Sequence, residues 1–424
     1  MGWTVGARAH PDSPVLEARR SPARLAYLDG LRALAALYVM LTHAFSTIWP
    51  SEFQKYPTGP LAALTSWLSY GHFAVTAFIV ISGFCLMLPI VRNGGLLKGG
   101  GRQFFKKRAR RILPPYYCAL VVSALLATTI ISSPTGTHWD VSLPVTIPAL
   151  YSHVILLQDF VYAGKINHVL WSVAVEWQIY FLFPLLVILW RRAGPVATTL
   201  GALAIAYAAH IGLQRLGIIP PDGASAIVPQ YVGMFVLGMA GAALAFGPSA
   251  RRRLLIDRIP WSLLAVCALA ALCVLNSKNS VSDVAYADIV AGIATTCALI
   301  GASQTRRDLL RRVLSWRPLV FVGTMSYSLY LIHAPLLQIL WQYVLRPWHL
   351  SDSVTFAALV IATPLIVAGA YLFFLVCERP FLTSPPPFHP WIMRLVVITS
   401  FSRRLPRWQR TIPGTVAVED EIVR

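Results

Sequence analysis

Long apolar runs separated by short polar segments make up most of this chain. An α-helix needs roughly 17–25 apolar residues to cross a bilayer. Runs of about this length lie near 28–48, 73–91, 112–133, 170–190, 196–213, 228–246, 261–275, 285–302, 319–345 and 355–377. Residues 144–160 contain Pro144 and Pro148 and are too short and interrupted to span. The pattern predicts an all-α integral membrane protein with about ten transmembrane helices.

The positions of Lys and Arg predict the orientation of these helices, because cytoplasmic loops carry an excess of positive charge. With the N-terminus inside, 31 of the 36 Lys and Arg residues fall in inner segments and 5 in outer loops. We therefore predict that both termini are cytoplasmic. The predicted organisation is a leader at 1–24, a membrane domain at 25–382 and a tail at 383–424. The first apolar run is too long for the apolar region of a cleavable signal peptide.

Composition supports the membrane interpretation and excludes other classes. The chain is 56% hydrophobic and 12% charged, which lies outside the range of soluble domains. Its net charge of +19 does not indicate a nucleic-acid partner, because the basic residues are interleaved with apolar segments. All six cysteines lie within apolar segments, which is typical of small core residues rather than disulfides.

The first span contains two ionisable residues, Arg32 near its inner end and His43 well inside the apolar run. A separation of 11 residues puts both on one helix face, about 16 Å apart along the axis. Ionisable groups inside a membrane are costly, about 2.5–3.5 kcal/mol for charged residues at a helix centre, and usually serve a function. The helix therefore places Arg32 near one membrane surface and His43 deep inside the membrane.

Two further spans place ionisable groups at a similar predicted depth. The fourth span carries a polar stripe of Ser172, Glu176 and Tyr180, and the ninth carries Tyr330 and His333. Hydrogen-bonded packing between helices is an alternative explanation for the hydroxyl groups. A buried carboxylate is harder to explain that way. We expect Glu176, His43 and His333 to meet in one layer.

The inner loop before the third span is strongly basic, with six Lys and Arg residues between 102 and 111. Arg108 and Arg111 are three residues apart and share a helix face. The cluster suits a phosphorylated ligand, because Arg forms bidentate hydrogen bonds with phosphate. Anchoring to anionic lipid explains it equally well at this point.

The outer loops contain four residues that ligate metals in other proteins: His138, His153, Asp159 and His168. Their spacing is unlike that of zinc sites. We therefore assign no metal site from the sequence.

Four motifs occur in a defined order: LDGLRALAALYVMLTH, FFKKRARRILPPYY, WSVAVEWQIYFLFP and GTMSYSLYLIHAP. Together they resemble the membrane acyltransferase-3 family over about residues 25–382. Mild departures from the family pattern occur at Ala33, Val173 and Ile179. The family motifs fall on Arg32, His43, Lys107, Arg108, Arg111, Pro114, Trp171, Ser172 and Glu176.

The resemblance implies an O-acyltransferase in the inner (plasma) membrane that moves an acyl group, often acetyl, from acyl-CoA to a hydroxyl of a carbohydrate or glycolipid. Acyl-CoA is then a donor substrate, with no permanently bound cofactor. We expect Arg32, Lys107, Arg108 and Arg111 to bind the donor. His43 is expected to act as general base and Glu176 to hold its imidazole. Tyr330 and His333 are expected to stabilise the oxyanion or bind the acceptor.

Two alternatives remain open from the sequence. His43 can itself be acylated and pass the group on, which would give ping-pong kinetics. A proton- or solute-coupled transporter also has many helices and buried charges. The basic cluster and the absence of obvious inverted halves favour the transferase.

Overall fold

The computed structural model describes residues 25–220, 226–247, Ile256, 258–277, 284–304 and 309–382. The predicted leader and tail lie outside this part, so their cytoplasmic location stays a prediction. The described residues form helices and turns, without strands. The α-helices are α1 Ala26–Ile48, α2 Pro60–Thr65, α3 His72–Arg92, α4 Gly100–Thr128, α5 Ile147–Val154, α6 Trp171–Arg192, α7 Gly194–Arg215, α8 Gln230–Phe246, α9 Trp261–Ser277, α10 Val284–Gln304, α11 Leu309–Leu314, α12 Arg317–Thr324, α13 Ser326–Ile339, α14 Asp352–Ile361 and α15 Thr363–Phe373.

Short 3₁₀ and π segments extend or connect these helices. The 3₁₀ segments are Ser51–Phe53, Ser66–Tyr70, His138–Ser142, Arg346–Trp348 and Arg379–Phe381, and the π segments are Leu340–Leu345 and Phe374–Glu378.

Eight helices in the described part are long and apolar enough to cross a membrane. Two predicted spans, α8 and α9, are apolar but have 17 residues each. At 1.5 Å per residue such a helix is about 26 Å long, slightly shorter than a hydrocarbon core of about 30 Å. The structure confirms an all-helical protein with multiple membrane helices. The number ten and the orientation stay predictions.

The basic segment that the sequence assigned to a loop is helical. α4 begins at Gly100, 12 residues before the predicted start of the third span at 112, and includes all six basic residues between 102 and 111. Hydropathy marks only the apolar part of a helix, whereas Arg, Lys and Gln are good helix formers that extend it into the polar region. The prediction of a loop was wrong, and its consequence is that the arginines have fixed positions relative to the membrane part of α4.

Two predicted spans are interrupted. The span predicted at 319–345 divides at Met325 into α12 and α13, and the span predicted at 355–377 divides at Ala362 into α14 and α15. Pro364 explains the second break: it lies in the first turn of α15, has no backbone N–H to donate to the carbonyl of Val360, and its ring would clash with that carbonyl in a continuous helix.

In the described part, α1 contacts five other α-helices. It packs against α3, α11, α12, α13 and α14. Ala33 and Ala36 on α1 are fully buried. Two glycines allow close approach: a Cβ at Gly30 would lie 1.8 Å from the carbonyl oxygen of Leu314, and one at Gly323 would lie 1.9 Å from that of Asp29. This packing fixes the positions of the ionisable side chains on α1.

α3 and α8 are also in close contact through glycine. A Cβ at Gly83 would lie 2.0 Å from the carbonyl oxygen of Phe235. We expect Gly83→Ala to lower the thermal unfolding midpoint of the detergent-solubilised protein, because overpacking costs about 1–3 kcal/mol and the clash is with backbone. Gly201→Ala is the matched control: this helical position has no other atom within 4 Å of a Cβ, and alanine there favours the helix. Equal midpoints for the two variants would contradict this packing.

Asp288 on α10 is a buried carboxylate that the hydrophobic pattern did not single out. It accepts hydrogen bonds from Thr76 on α3 and Gln230 on α8, and it lies 3.1 Å from Nε2 of His72. These contacts satisfy the carboxylate and connect three helices. We therefore assign Asp288 to the packing of the bundle.

Candidate functional site

A cavity of about 240 Å³ lies between α1, α3, α4, α6 and α13. It is lined by residues of all four sequence motifs together with residues of α3 that the motifs did not indicate. Its polar lining residues are Arg32, Ser82, Cys85, Arg108, Arg111, Ser172, Glu176, Tyr180, Ser326, Tyr327 and Tyr330. The fold therefore brings distant parts of the sequence to one site.

Three arginines meet in this cavity. Arg32 donates from Nη2 to Sγ of Cys85 over 3.1 Å, and its Nη1 lies 3.4 Å from Oδ1 of Asp29. Arg108 and Arg111 line the cavity from one face of α4. Among the described residues, no carboxylate lies within ion-pair distance of either, and Nε of Arg108 is buried without a hydrogen-bond partner. The arrangement leaves N–H groups of these arginines available to donate hydrogen bonds to an anionic ligand.

Lys107 differs from the other predicted donor-binding residues. The residue does not line the cavity, whereas Arg32, Arg108 and Arg111 do. It lies one position before Arg108 on α4, where the helix turn directs it to another side of the helix. Its predicted role in donor binding stays a prediction, and the structure offers it no place among the three arginines.

The predicted polar stripe on α6 lines the cavity. Tyr180 donates its hydroxyl to Oε1 of Glu176 over 2.5 Å and lies 2.9 Å from Oγ of Ser82. Ser172 Oγ lies 2.6 Å from the hydroxyl of Tyr330 on α13. The structure thus places Glu176 in the same cavity as the arginines, with Tyr180 as its hydrogen-bond partner rather than His43.

His43 and His333 are in direct contact, with 2.8 Å between Nδ1 of His43 and Nε2 of His333. Nδ1 of His333 faces the backbone carbonyls of Leu329 and Tyr330 at 3.0 and 2.9 Å. Carbonyl oxygens only accept, so Nδ1 of His333 carries a proton and its Nε2 accepts one from Nδ1 of His43. This hydrogen-bond pattern leaves Nε2 of His43 with a free lone pair. His333, not Glu176, occupies the place that orients the His43 imidazole.

Tyr330 connects the histidine pair to the cavity. Its hydroxyl contacts Ser172 in the cavity, and its ring centroid lies 6.0 Å from that of His333. The site therefore has two adjoining parts. One is the arginine-lined cavity and the other is the pair of histidines.

Two histidines that the sequence analysis set aside also reach His43. The ring centroids of His138 and His168 lie 5.7 and 4.9 Å from that of His43. His168 is in the segment before α6, and burial lowers its pKa well below the usual range, with His138, His43 and His333 adding to the effect. Spacing along the sequence gave no signal, because the three residues come from separate segments.

A family model described as an acyltransferase domain matches residues 25–375. The match covers most of the chain and all the elements that build the cavity. The chain belongs to the acyltransferase-3 family. No curated protein and no solved structure matches it.

Family membership gives the general activity of this multi-pass membrane protein. Together with the apolar helices, it identifies a membrane acyltransferase. The transporter alternative is correspondingly disfavoured. Family membership does not identify the acyl donor or the acceptor, and we infer both from the geometry of the site.

Proposed function

We propose that this acyltransferase is an O-acyltransferase of the inner (plasma) membrane. It moves an acyl group, with acetyl as the proposed group, from acyl-CoA to a hydroxyl of a carbohydrate or cell-envelope glycan. One observation carries the proposal: a single cavity is lined both by three guanidinium groups and by Tyr330, which adjoins the His43–His333 pair. An anionic donor and a general base would thereby lie next to each other.

The arginines suit the phosphates of CoA. Arg108 and Arg111 are free of carboxylate partners within ion-pair distance in the described part, so binding a phosphate would not require breaking a salt bridge. Charge-assisted hydrogen bonds from guanidinium to phosphate are short and strong. With the predicted orientation, these residues lie at the cytoplasmic side, where acyl-CoA is available. The thioester would extend past Glu176 towards Ser172 and Tyr330.

His43 is suited to remove a proton from the acceptor. Its Nε2 has the free lone pair, and His333 holds the ring through Nδ1. The acceptor hydroxyl would transfer its proton to Nε2 as its oxygen bonds to the thioester carbonyl carbon. The C–S bond then breaks, and the CoA thiolate takes the proton from the imidazolium. Of the hydrogen-bonded hydroxyls of Ser172 and Tyr330, one would donate to the developing oxyanion while the other donates to it.

Glu176 would have a supporting role in this scheme. It shares the cavity with Arg32, Arg108 and Arg111, and it accepts a hydrogen bond from Tyr180. A carboxylate here offsets part of the positive charge and reduces the repulsion between the guanidinium groups when no donor is bound. We propose that it positions the donor site, in place of the role beside His43 that the sequence suggested.

The test is an assay of purified protein with radiolabelled acetyl-CoA and extracted cell-envelope glycans. We expect wild-type protein to produce base-labile label on the glycan and His43→Ala to produce none above background. Label on the protein in the absence of glycan would instead favour an acyl-histidine intermediate. A wild-type protein that transfers no acyl group, but moves labelled substrate across sealed vesicles, would overturn the proposal.

A further inference from the structure

Three histidines from separate segments form a compact cluster at the end of α1 opposite Arg32. His43 belongs to α1, His138 to the 3₁₀ segment His138–Ser142, and His168 to the segment before α6. One ring nitrogen from each lies within 4.8 Å of those of the other two. Imidazole nitrogens brought together in this way are typical ligands of zinc and related transition-metal ions.

Nδ1 of each histidine lies within 3.1 Å of a polar atom outside the cluster, although at His138 the alignment does not make a hydrogen bond. Nδ1 of His43 contacts Nε2 of His333 at 2.8 Å, Nδ1 of His138 lies 2.7 Å from Oε1 of Glu52, and Nδ1 of His168 lies 3.1 Å from Oγ of Ser142. Metal-binding histidines usually have such a partner, which fixes the ring and its tautomer. The nitrogen left over in each ring is therefore Nε2.

An independent observation concerns Nε2 of His168. This atom is buried and has no hydrogen-bond partner in the part of the chain that the structure describes. A buried polar atom without a partner costs about 1–3 kcal/mol, so such atoms are uncommon unless a ligand or water satisfies them. The cluster thus contains an unsatisfied ligand atom next to two other imidazoles.

We propose that His43, His138 and His168 form a binding site for Zn²⁺. Three histidine ligands with an open fourth position are a known zinc arrangement, with Zn–N distances of about 2.0–2.1 Å. Tetrahedral ligands at that distance are about 3.3 Å apart, so each nitrogen would move inward by at most about 0.9 Å. His138 and His168 lie outside the long helices, where small adjustments of the backbone cost little.

Zinc at this site would inhibit acyl transfer, and this consequence rests on the proposed function. The metal would use the Nε2 lone pair of His43, which the proposed reaction needs to accept a proton. Metal and proton cannot share that lone pair. Zinc-bound protein would therefore be inactive until the metal is removed.

Direct binding tests the site without reference to activity. Purified wild-type protein, with any affinity tag removed, is titrated with Zn²⁺ against a chromophoric chelator. We expect one ion per chain, and a loss of affinity of more than about 100-fold for His138→Ala and for His168→Ala, since loss of a second-shell partner alone costs about 10–100-fold. Ser142→Ala removes the partner of His168 Nδ1 and should lower the zinc affinity by only about 10–100-fold. His349→Ala removes an exposed histidine outside the cluster and should bind zinc as wild type does.

The activity arm uses the acyl-transfer assay with added Zn²⁺. We expect zinc to inhibit the wild type, EDTA to restore the activity, and Mg²⁺ to have no effect because it prefers oxygen ligands. Absence of zinc binding, or binding that both cluster variants retain, would overturn the site. Activity that requires zinc would overturn the inhibitory role. If no acyl transfer occurs at all, the proposed function fails while the binding titration still decides the metal site.

Discussion

His43→Ala is expected to lower the rate of acyl transfer by about 10²–10⁴-fold, which is the usual contribution of a general base. The reason is that Nε2 of His43 keeps a free lone pair while Nδ1 bonds to His333, whose ring lies beside that of Tyr330. The Michaelis constant for the donor should change little, because His43 does not line the arginine cavity. Initial rates at several acetyl-CoA concentrations separate the two parameters.

The control for this variant is His349→Ala, which removes an exposed histidine and should keep full activity. Both proteins are compared at equal amounts of monodisperse, detergent-solubilised material, so that a folding defect is recognised. His333→Ala should reduce kcat less than His43→Ala does, because His333 acts through the orientation of the His43 ring. Near-normal kcat in His43→Ala would contradict its role as base or as acylated nucleophile.

Replacing Arg108 and Arg111 together by alanine is expected to weaken donor binding strongly. A hydrogen bond to a charged group contributes about 1.5–3 kcal/mol, so each arginine should account for roughly a 10–150-fold change in the dissociation constant. The effect should appear in the affinity for acetyl-CoA more than in kcat. Equilibrium binding of acetyl-CoA to the purified variants measures it directly.

Arg110→Ala is the matched control for the arginine variant. Arg110 lies on the same helix and has the same charge, but it does not line the cavity. It should bind acetyl-CoA nearly as wild type does. If Arg110→Ala weakens binding as much as the double variant, general attraction by the basic segment explains the affinity. Unchanged affinity in the double variant would remove both arginines from the donor site.

Most of the fold could be predicted from the sequence, because hydropathy reports directly on which segments leave water. α1, α3, α6, α7 and α10 lie close to predicted spans. The errors occurred where hydropathy is a poor guide. It missed the helical start of α4 at Gly100, since charged residues continue a helix without adding apolar character. It also joined α14 to α15 across the break at Ala362, where Pro364 lacks the N–H that a continuous helix needs.

The candidate site could be predicted only in part. Helical spacing put Ser172, Glu176 and Tyr180 on one face of α6, and the structure places all three in the cavity. Equal predicted depth also suggested that His43 and His333 would meet, which they do. Depth does not specify which helices are neighbours, so the same reasoning paired Glu176 with His43 although its partner is Tyr180.

The sequence by itself determined the membrane class, the family and the ionisable residues buried among the helices, since each depends on residue type and spacing within one segment. Only the tertiary structure decided which of these residues touch. It separated Lys107 from the three arginines of the cavity and brought His138 and His168 to His43. The physical reason is that these contacts depend on how helices far apart in sequence pack, and close packing at glycines such as Gly30 and Gly83 sets that arrangement.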